Sequence, residues 1–313
     1  MNLDDLIKKL ETDKGKIKSD LLSNEGLEKL KRVAKEYSGE YELVWSQDTL
    51  EEIRKKPKKT SHKSGVPEFD DLTGGFRPQQ MIGVGAQSGH GKTAFGLWLL
   101  KQYEGLNPVL LPLEQSSEEL IEQRDENGQF VPKYLSPKKH SAFVNPDWIE
   151  QRIVEAIAKY NSQLIMLDHM GYIEAGEDYR REGEHLRIEK KLQAIKHLAI
   201  KWNVTIIILI QLSQMEEENA PQLRDLKGSS AIRQECDKIM FLWRNNIKSG
   251  KARVYDDKVL VSLQKNRFDG KNGNLGATFE FKTGDYKFTK DAQVWCQNLE
   301  KKAKEEVTAD DAF

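Results

Sequence analysis

Between Gln80 and Lys101 the chain reads QMIGVGAQSGHGKTAFGLWLLK, and few backbone arrangements satisfy all of it. Met81 to Val84 is an apolar run suited to a buried strand, the residues after it are small and glycine-rich, and Lys92 and Thr93 open a segment of helical character. Strand, glycine-rich loop and helix in that order are the context a phosphate-binding P-loop demands. Small residues let successive backbone N–H groups curl around a phosphate, and the helix N-terminus adds its positive dipole end. Gly85, Ala86, Gln87, Ser88, Gly89, His90, Gly91, Lys92 and Thr93 are therefore expected to hold ATP or another NTP or dNTP. Lys92 would reach the β- and γ-phosphates and Thr93 would ligate Mg²⁺. In G-x-x-x-x-G-K-[ST] terms the first glycine is replaced by Ala86, with Gly85 one place earlier. An ordinary glycine turn before a core helix is the competing explanation.

The 313 residues leave room for one domain of about 200 to 250 residues plus extensions. Charged residues make up 32% of the chain, and no run of ~20 apolar residues exists, so no membrane segment is expected. The start, MNLDDLIKKLETDK, mixes acids and bases, unlike a signal or transit peptide. The expected location is the cytoplasm of a bacterium, or of the host of a phage that encodes the protein. Two cysteines, Cys236 and Cys296, cannot build a disulfide framework or a four-cysteine zinc site. A net charge of −1 carries no global nucleic-acid signal, so DNA contact would have to come from local basic loops.

Residues 1–60 read as a short helical extension, with Leu3, Leu6, Ile7 and Leu10 on one face, followed by a basic linker RKKPKKTSHK from Arg54 to Lys63. From Gly65 onward, short apolar runs alternate with amphipathic stretches, which predicts an α/β fold with a mostly parallel sheet flanked by helices. Strands are expected at Pro108 to Leu113, Gln163 to Leu167, Val204 to Ile210, Lys238 to Trp243 and Lys258 to Gln264. Helices are expected at Trp148 to Tyr160 and Leu186 to Trp202, and irregular surface chain at Asn127 to Pro146 and Tyr172 to Glu184, the latter holding Tyr179, Arg180 and Arg181. Residues 61–298 form the expected domain, and residues 299–313 an acidic tail ending in Phe313.

Asp168 ends an apolar strand downstream of the P-loop, where a carboxylate is expected to hold the Mg²⁺ shell; a plain strand-end carboxylate is the alternative. Glu114 and Gln211 end strands at the same edge, where ligands collect in open α/β sheets. Glu114 is placed to polarise the attacking water, and Gln211 to bond the γ-phosphate and report hydrolysis to the following loop.

The combination GAQSGHGKT, LPLEQ, LIMLDH, IQLSQ, DLKGSSAIRQECDKIM and QKNRFDG resembles the RecA-like replicative DNA helicases of the DnaB type, within them the phage primase-helicase and mitochondrial helicase branch. The resemblance runs from about Gly65 to Phe281 and leaves the first 60 residues outside it. It implies a RecA-like P-loop ATPase core assembled as a homo-hexameric ring, moving 5′ to 3′ on single-stranded DNA and unwinding duplex. Carried over, Arg224, Lys227, Gly228, Ser229 and Ser230 would face DNA in the ring's channel, and Arg244 would join the nucleotide site. Lys265 and Arg267 would approach the γ-phosphate of a neighbouring subunit. The acidic tail is similar to those that touch a primase, polymerase or single-strand-binding protein; a solvating end is the alternative. Two other functions share the P-loop and Asp168: a RecA/RadA-like recombinase-type DNA-dependent ATPase, and a regulatory RecA-like ATPase without unwinding.

Overall fold

The apolar runs of the sequence become the strands of one sheet because each is buried on both faces. The computed structural model describes residues 44–55, 61–139, 141, 144–174, 183–212, 220–226, 229–249 and 252–310. Two compact units divide the chain at Lys58/Lys59. In the first, helix α1 (Ser46–Lys55) buries no side chain, and Trp45, Leu50 and Ile53 are exposed. The face expected from Leu3 to Leu10 lies outside the described residues.

In the second unit α2 (Pro67–Thr73) precedes β1 (Met81–Ala86), α3 (Lys92–Gln102), β2 (Val109–Pro112), α4 (Ser117–Glu126), α5 (Pro146–Tyr160) and β3 (Leu164–Asp168). There follow α6 (Glu184–Lys201), β4 (Thr205–Gln211), α7 (Ser229–Glu235), β5 (Lys238–Ser249), β6 (Ala252–Asn266), β7 (Gly273–Glu280), β8 (Asp285–Lys287) and α8 (Lys290–Asp310). The sheet order is β2-β3-β4-β1-β5-β6-β7-β8. Strands β1 to β5 run parallel, and β6, β7 and β8 are added antiparallel.

Strand periodicity sorts the side chains into two cores. Ile165, Leu167, Ile206, Ile208 and Ile210 pack under α5, α6 and α7, while Leu164, Met166, Ile207 and Leu209 pack against α3 with Phe95 and Trp98. Each such fully buried residue contributes about 1.5–3 kcal/mol, so β4, buried at Thr205 to Ile210, anchors the centre. Local signals set the helix ends. Asn145 accepts the Trp148 N–H at 2.9 Å ahead of Pro146, and Ser116 and Glu119 form a reciprocal capping box at the start of α4.

Three features differ from the expectations. Strands β5 and β6 extend beyond Trp243 and before Lys258 into a ribbon in which Asn246 faces Tyr255; its polar stretch RNNIKS is held by the backbone ladder and carries no apolar alternation. Strands β7 and β8 were not foreseen, because the glycines in GNLGATFE hide the pattern and β6 and α8 supply the order. The expected tail boundary at residue 299 falls inside α8, which runs to Asp310; Asp311 to Phe313 lie outside the described residues. The stretch 127–139 is irregular as expected, and Leu135 bridges Val109, shielding the edge of β2. Tyr179, Arg180 and Arg181 lie outside the described residues.

Helix α8 approaches β7 so closely that a Cβ on Gly276 would sit 1.9 Å from the Ala292 carbonyl oxygen. Gly276→Ala is expected to cost about 1–3 kcal/mol of stability, since helix backbone must move to make room. Thermal unfolding measures it; an unchanged midpoint would show that α8 does not rest on β7 at this glycine.

Candidate active site

The P-loop follows β1 as the motif requires. Gly89 and Gly91 have φ of 83° and 86°, a left-handed conformation that side chains other than glycine seldom adopt, and His90 N–H donates to Gln87 O at 3.3 Å to close the turn. Ser88 and Gly89 are exposed at the apex, while Gln87 and His90 are buried. The His90 ring turns away toward β5, where its Nδ1 accepts the Arg244 N–H at 2.9 Å and its ring meets Tyr255 edge-on. Gly85 and Ala86 belong to β1 itself, Ala86 standing beside Gln211 in the parallel register.

Thr93 and Asp168 meet: the Thr93 Oγ1 hydroxyl donates to Asp168 Oδ2 at 2.8 Å. The other carboxylate oxygen, Oδ1, is buried with no hydrogen-bond partner. Burial raises the Asp168 pKa, against the Thr93 hydrogen bond and the Lys92 charge, which lower it. A hydroxyl and a carboxylate with an unspent buried oxygen fit Mg²⁺, a hard cation that prefers few protein oxygens and completes its shell with phosphate and water. Among the described residues no cluster of three or more His, Cys, Asp or Glu forms an all-protein cage. Burial lowers the Lys92 pKa, and the charges of Asp168 and Glu114 oppose that shift.

Glu114 follows β2 at the same edge. Together with Thr93, Asp168, Arg124 and Phe281 it lines a cleft of about 400 Å³. Arg124 was not foreseen. It is largely buried, and its guanidinium donates from Nε and Nη2 to Phe130 O at 3.1 and 2.8 Å, so it is spent on holding a loop. His169, next to Asp168, was also missed as a functional residue although it stands in LIMLDH. Its Nε2 lies 3.5 Å from Glu114 Oε2. Burial, then the Lys92 charge, lower its pKa, against the Glu114 charge, which raises it. Arg244 is near the P-loop through its backbone, while its guanidinium donates to Asp256 O at 2.9 and 2.7 Å and lies over Tyr255.

Lys265 and Arg267 are not brought to this P-loop. Strand β6 runs antiparallel to β5 and carries them to the opposite edge, where Ile239 pairs with Lys265. There Lys265 Nζ donates to Cys236 O at 2.7 Å and to Arg233 O, and Arg267 Nη2 donates to Gln234 O, cations set at the C-terminal end of α7. Asp237 ties the corner together. It accepts from Met81 N–H at 2.8 Å and Lys196 Nζ at 2.6 Å, and it pairs with Arg267 Nη1 at 3.4 Å. Of the residues expected to face DNA, Arg224 and Ser230 are exposed, Ser229 begins α7, and Lys227 and Gly228 lie outside the described residues. Among the described residues no helix is long and apolar enough to cross a membrane.

Residues 138–289 match the family model of the DnaB-like helicase C-terminal domain. The P-loop and Glu114 precede that match, so their assignment rests on the sequence and geometry above. The replicative DNA helicase DnaB of Treponema pallidum is 24% identical, over 65% of this chain and 51% of that protein. DnaB of Geobacillus stearothermophilus is 23% identical, over 79% of this chain and 63% of that protein. The chain thus spans between half and two thirds of the length of these relatives. Among solved structures, an ATPase domain superposes with a TM-score of 0.63 at 22% identity, covering 78% of this chain and 97% of that one. A DnaB-like replicative helicase whose structure also concerns its interactions with primase gives 0.63 at 20% identity, covering 86% and 73%.

Proposed function

We propose that this chain is an ATP-driven replicative DNA helicase of the DnaB type, a reading supported by the match of residues 138–289 to the DnaB-like helicase C-terminal domain and by the likeness of its fold to an ATPase domain. It acts as a homo-hexameric ring that translocates 5′ to 3′ on single-stranded DNA in the cytoplasm and unwinds the duplex ahead. The helicase domain runs from residue 61 into α8, residues 1–60 are an extension, and the end of α8 with the residues after it is a surface for partner contact, with primase, polymerase or single-strand-binding protein as partners.

One observation supports this: the residues read here as parts of a phosphoryl-transfer centre lie at opposite edges of one sheet. The cradle, Lys92, the Thr93–Asp168 metal site and Glu114 occupy the C-terminal edge of the parallel strands, while Arg267 and Lys265 occupy the other. A centre divided this way is completed by a second copy, as in a ring. ATP supplies the phosphoryl group and Mg²⁺ the counter-charge at its oxygens. Lys92 neutralises phosphate, Thr93 and Asp168 hold the cation, Glu114 orients the attacking water, and Gln211 beside Ala86 senses the γ-phosphate. Single-strand-stimulated ATPase followed by unwinding of a forked duplex tests the proposal. Stimulation without unwinding would replace it with the recombinase-type ATPase, and ATPase indifferent to DNA with the regulatory one.

The DNA side has its own test. Lys227→Ala is expected to weaken single-strand binding whatever the sequence, and to lower the salt slope by about the share of one phosphate contact. Binding titrations over a range of salt check this; an unchanged slope would place the loop away from DNA.

A further inference from the structure

We propose that His169 is a positioning residue for Glu114, its Nε2–H holding the carboxylate toward the water that attacks the γ-phosphate. This rests on Glu114 having the role proposed above. The juxtaposition is built by the backbone. Pro112 and Asp168 are register partners at the ends of β2 and β3, and Leu113 N–H donates to Asp168 O at 2.6 Å. Glu114 and His169, one residue further along each chain, therefore leave the sheet side by side.

Their side chains differ in freedom. The Glu114 side chain is 55% exposed and stands just outside the capping box, in which Ser116 and Glu119 satisfy each other. A glutamate held by nothing loses its water-directing geometry among its rotamers. The His169 ring, by contrast, is fixed. It is buried, its Nδ1 accepts the Gly171 N–H at 3.1 Å, and Tyr172 meets it edge-on at 5.0 Å. It lies so close over Gly171 that a Cβ there would be 2.7 Å from the ring Cε1. Since Nδ1 is an acceptor, the ring proton sits on Nε2, and that nitrogen faces Glu114 Oε2 at 3.5 Å. Capping the short turn at Met170–Tyr172 needs only an acceptor, which a shorter side chain provides. The second nitrogen is what the turn does not use.

The two ring nitrogens can be separated by substitution in the full chain. His169→Asn keeps an acceptor for Gly171 N–H but does not reach Glu114; His169→Gln places an amide donor near the Nε2 position and gives up the turn acceptor. In DNA-stimulated ATPase assays, His169→Asn should lose about 10- to 100-fold in kcat with KM and the affinity for a fluorescent ATP analogue unchanged, as expected for misplacing a reacting group. His169→Gln should stay within about threefold of the parent. Equal kcat for both, or Asn active with Gln impaired, means that His169 only caps the turn and overturns the proposal. In a Glu114→Gln background, which should bind nucleotide with turnover nearly abolished, His169→Asn should add no further loss. A multiplied loss also overturns it, because the histidine would then act elsewhere. Should Glu114→Gln hydrolyse ATP normally, the role of Glu114 itself falls and His169 with it; a dead Glu114→Gln beside a normal His169→Asn refutes the histidine alone.

Discussion

A chain carrying Lys92→Ala is expected to lose ATP hydrolysis by at least about 10²- to 10³-fold, the scale of removing one fixed positive donor from a developing charge. The reason lies in what surrounds the lysine. Two carboxylates, Asp168 and Glu114, stand close enough to raise its pKa against burial, which lowers it. Without the ammonium, triphosphate brought into the cradle would face those carboxylates with only the backbone N–H groups and Mg²⁺ to offset them. Nucleotide affinity should fall together with turnover, since lysine neutralises phosphate in ground and transition states alike. The result separates Lys92 from Glu114, whose loss is expected to spare binding. Measured turnover near the parent level would mean that the P-loop is not the hydrolytic site.

Arg267 should act on the nucleotide of a neighbouring subunit, so that Arg267→Ala loses about 10³- to 10⁵-fold in ATPase while its own nucleotide site remains intact. Within one chain the distance between sheet edges separates the guanidinium from the P-loop, and Arg124, which does line the cleft, is committed to Phe130 O. Hydrolysis spreads charge over the γ-phosphoryl oxygens, and among the described residues the one Lys or Arg lining the cleft is Arg124. Arg267 is itself tied to its own chain in the structure, and its side chain would have to leave those partners to reach a neighbouring nucleotide. Its main-chain N–H donates to Asp237 O at 2.8 Å and its side chain, about half exposed, rests on Asp237 and Gln234. Mixing distinguishes trans from cis. Arg267→Ala and Lys92→Ala subunits, each inactive alone, should recover ATPase when combined, because some interfaces pair an intact cradle with an intact finger. Mixtures that stay inactive at all ratios, with ring assembly confirmed by mass, would refute the trans assignment. Normal hydrolysis by Arg267→Ala alone would remove the finger altogether.

What the sequence determined by itself was everything written in contiguous residues. Strand, glycine turn and helix from Met81 to Gln102 are local, so GAQSGHGKT announces its own geometry. The parallel strands were legible for a related reason: a strand buried on both faces must be apolar throughout, and TIIILIQ or LIMLD admits little else. Asp168 was legible because it closes such a strand. The tertiary structure alone decided what depends on pairing between distant residues. Thr93 and Asp168 are 75 residues apart, and Met81 and Asp237 are 156 apart. The polar β5–β6 ribbon, β7 and β8 are ordered by the strand or helix beside them, so their own residues carry no apolar period to read. The same holds for charge. Arg124, Lys265 and Arg267 are alike in sequence, and only the fold shows that the first is spent on a loop carbonyl in the cleft while β6 carries the other two to the far edge. His169 acquires its place from the register of β2 against β3, because hydrogen bonding between Leu113 and Asp168, absent from any local pattern, sets it beside Glu114.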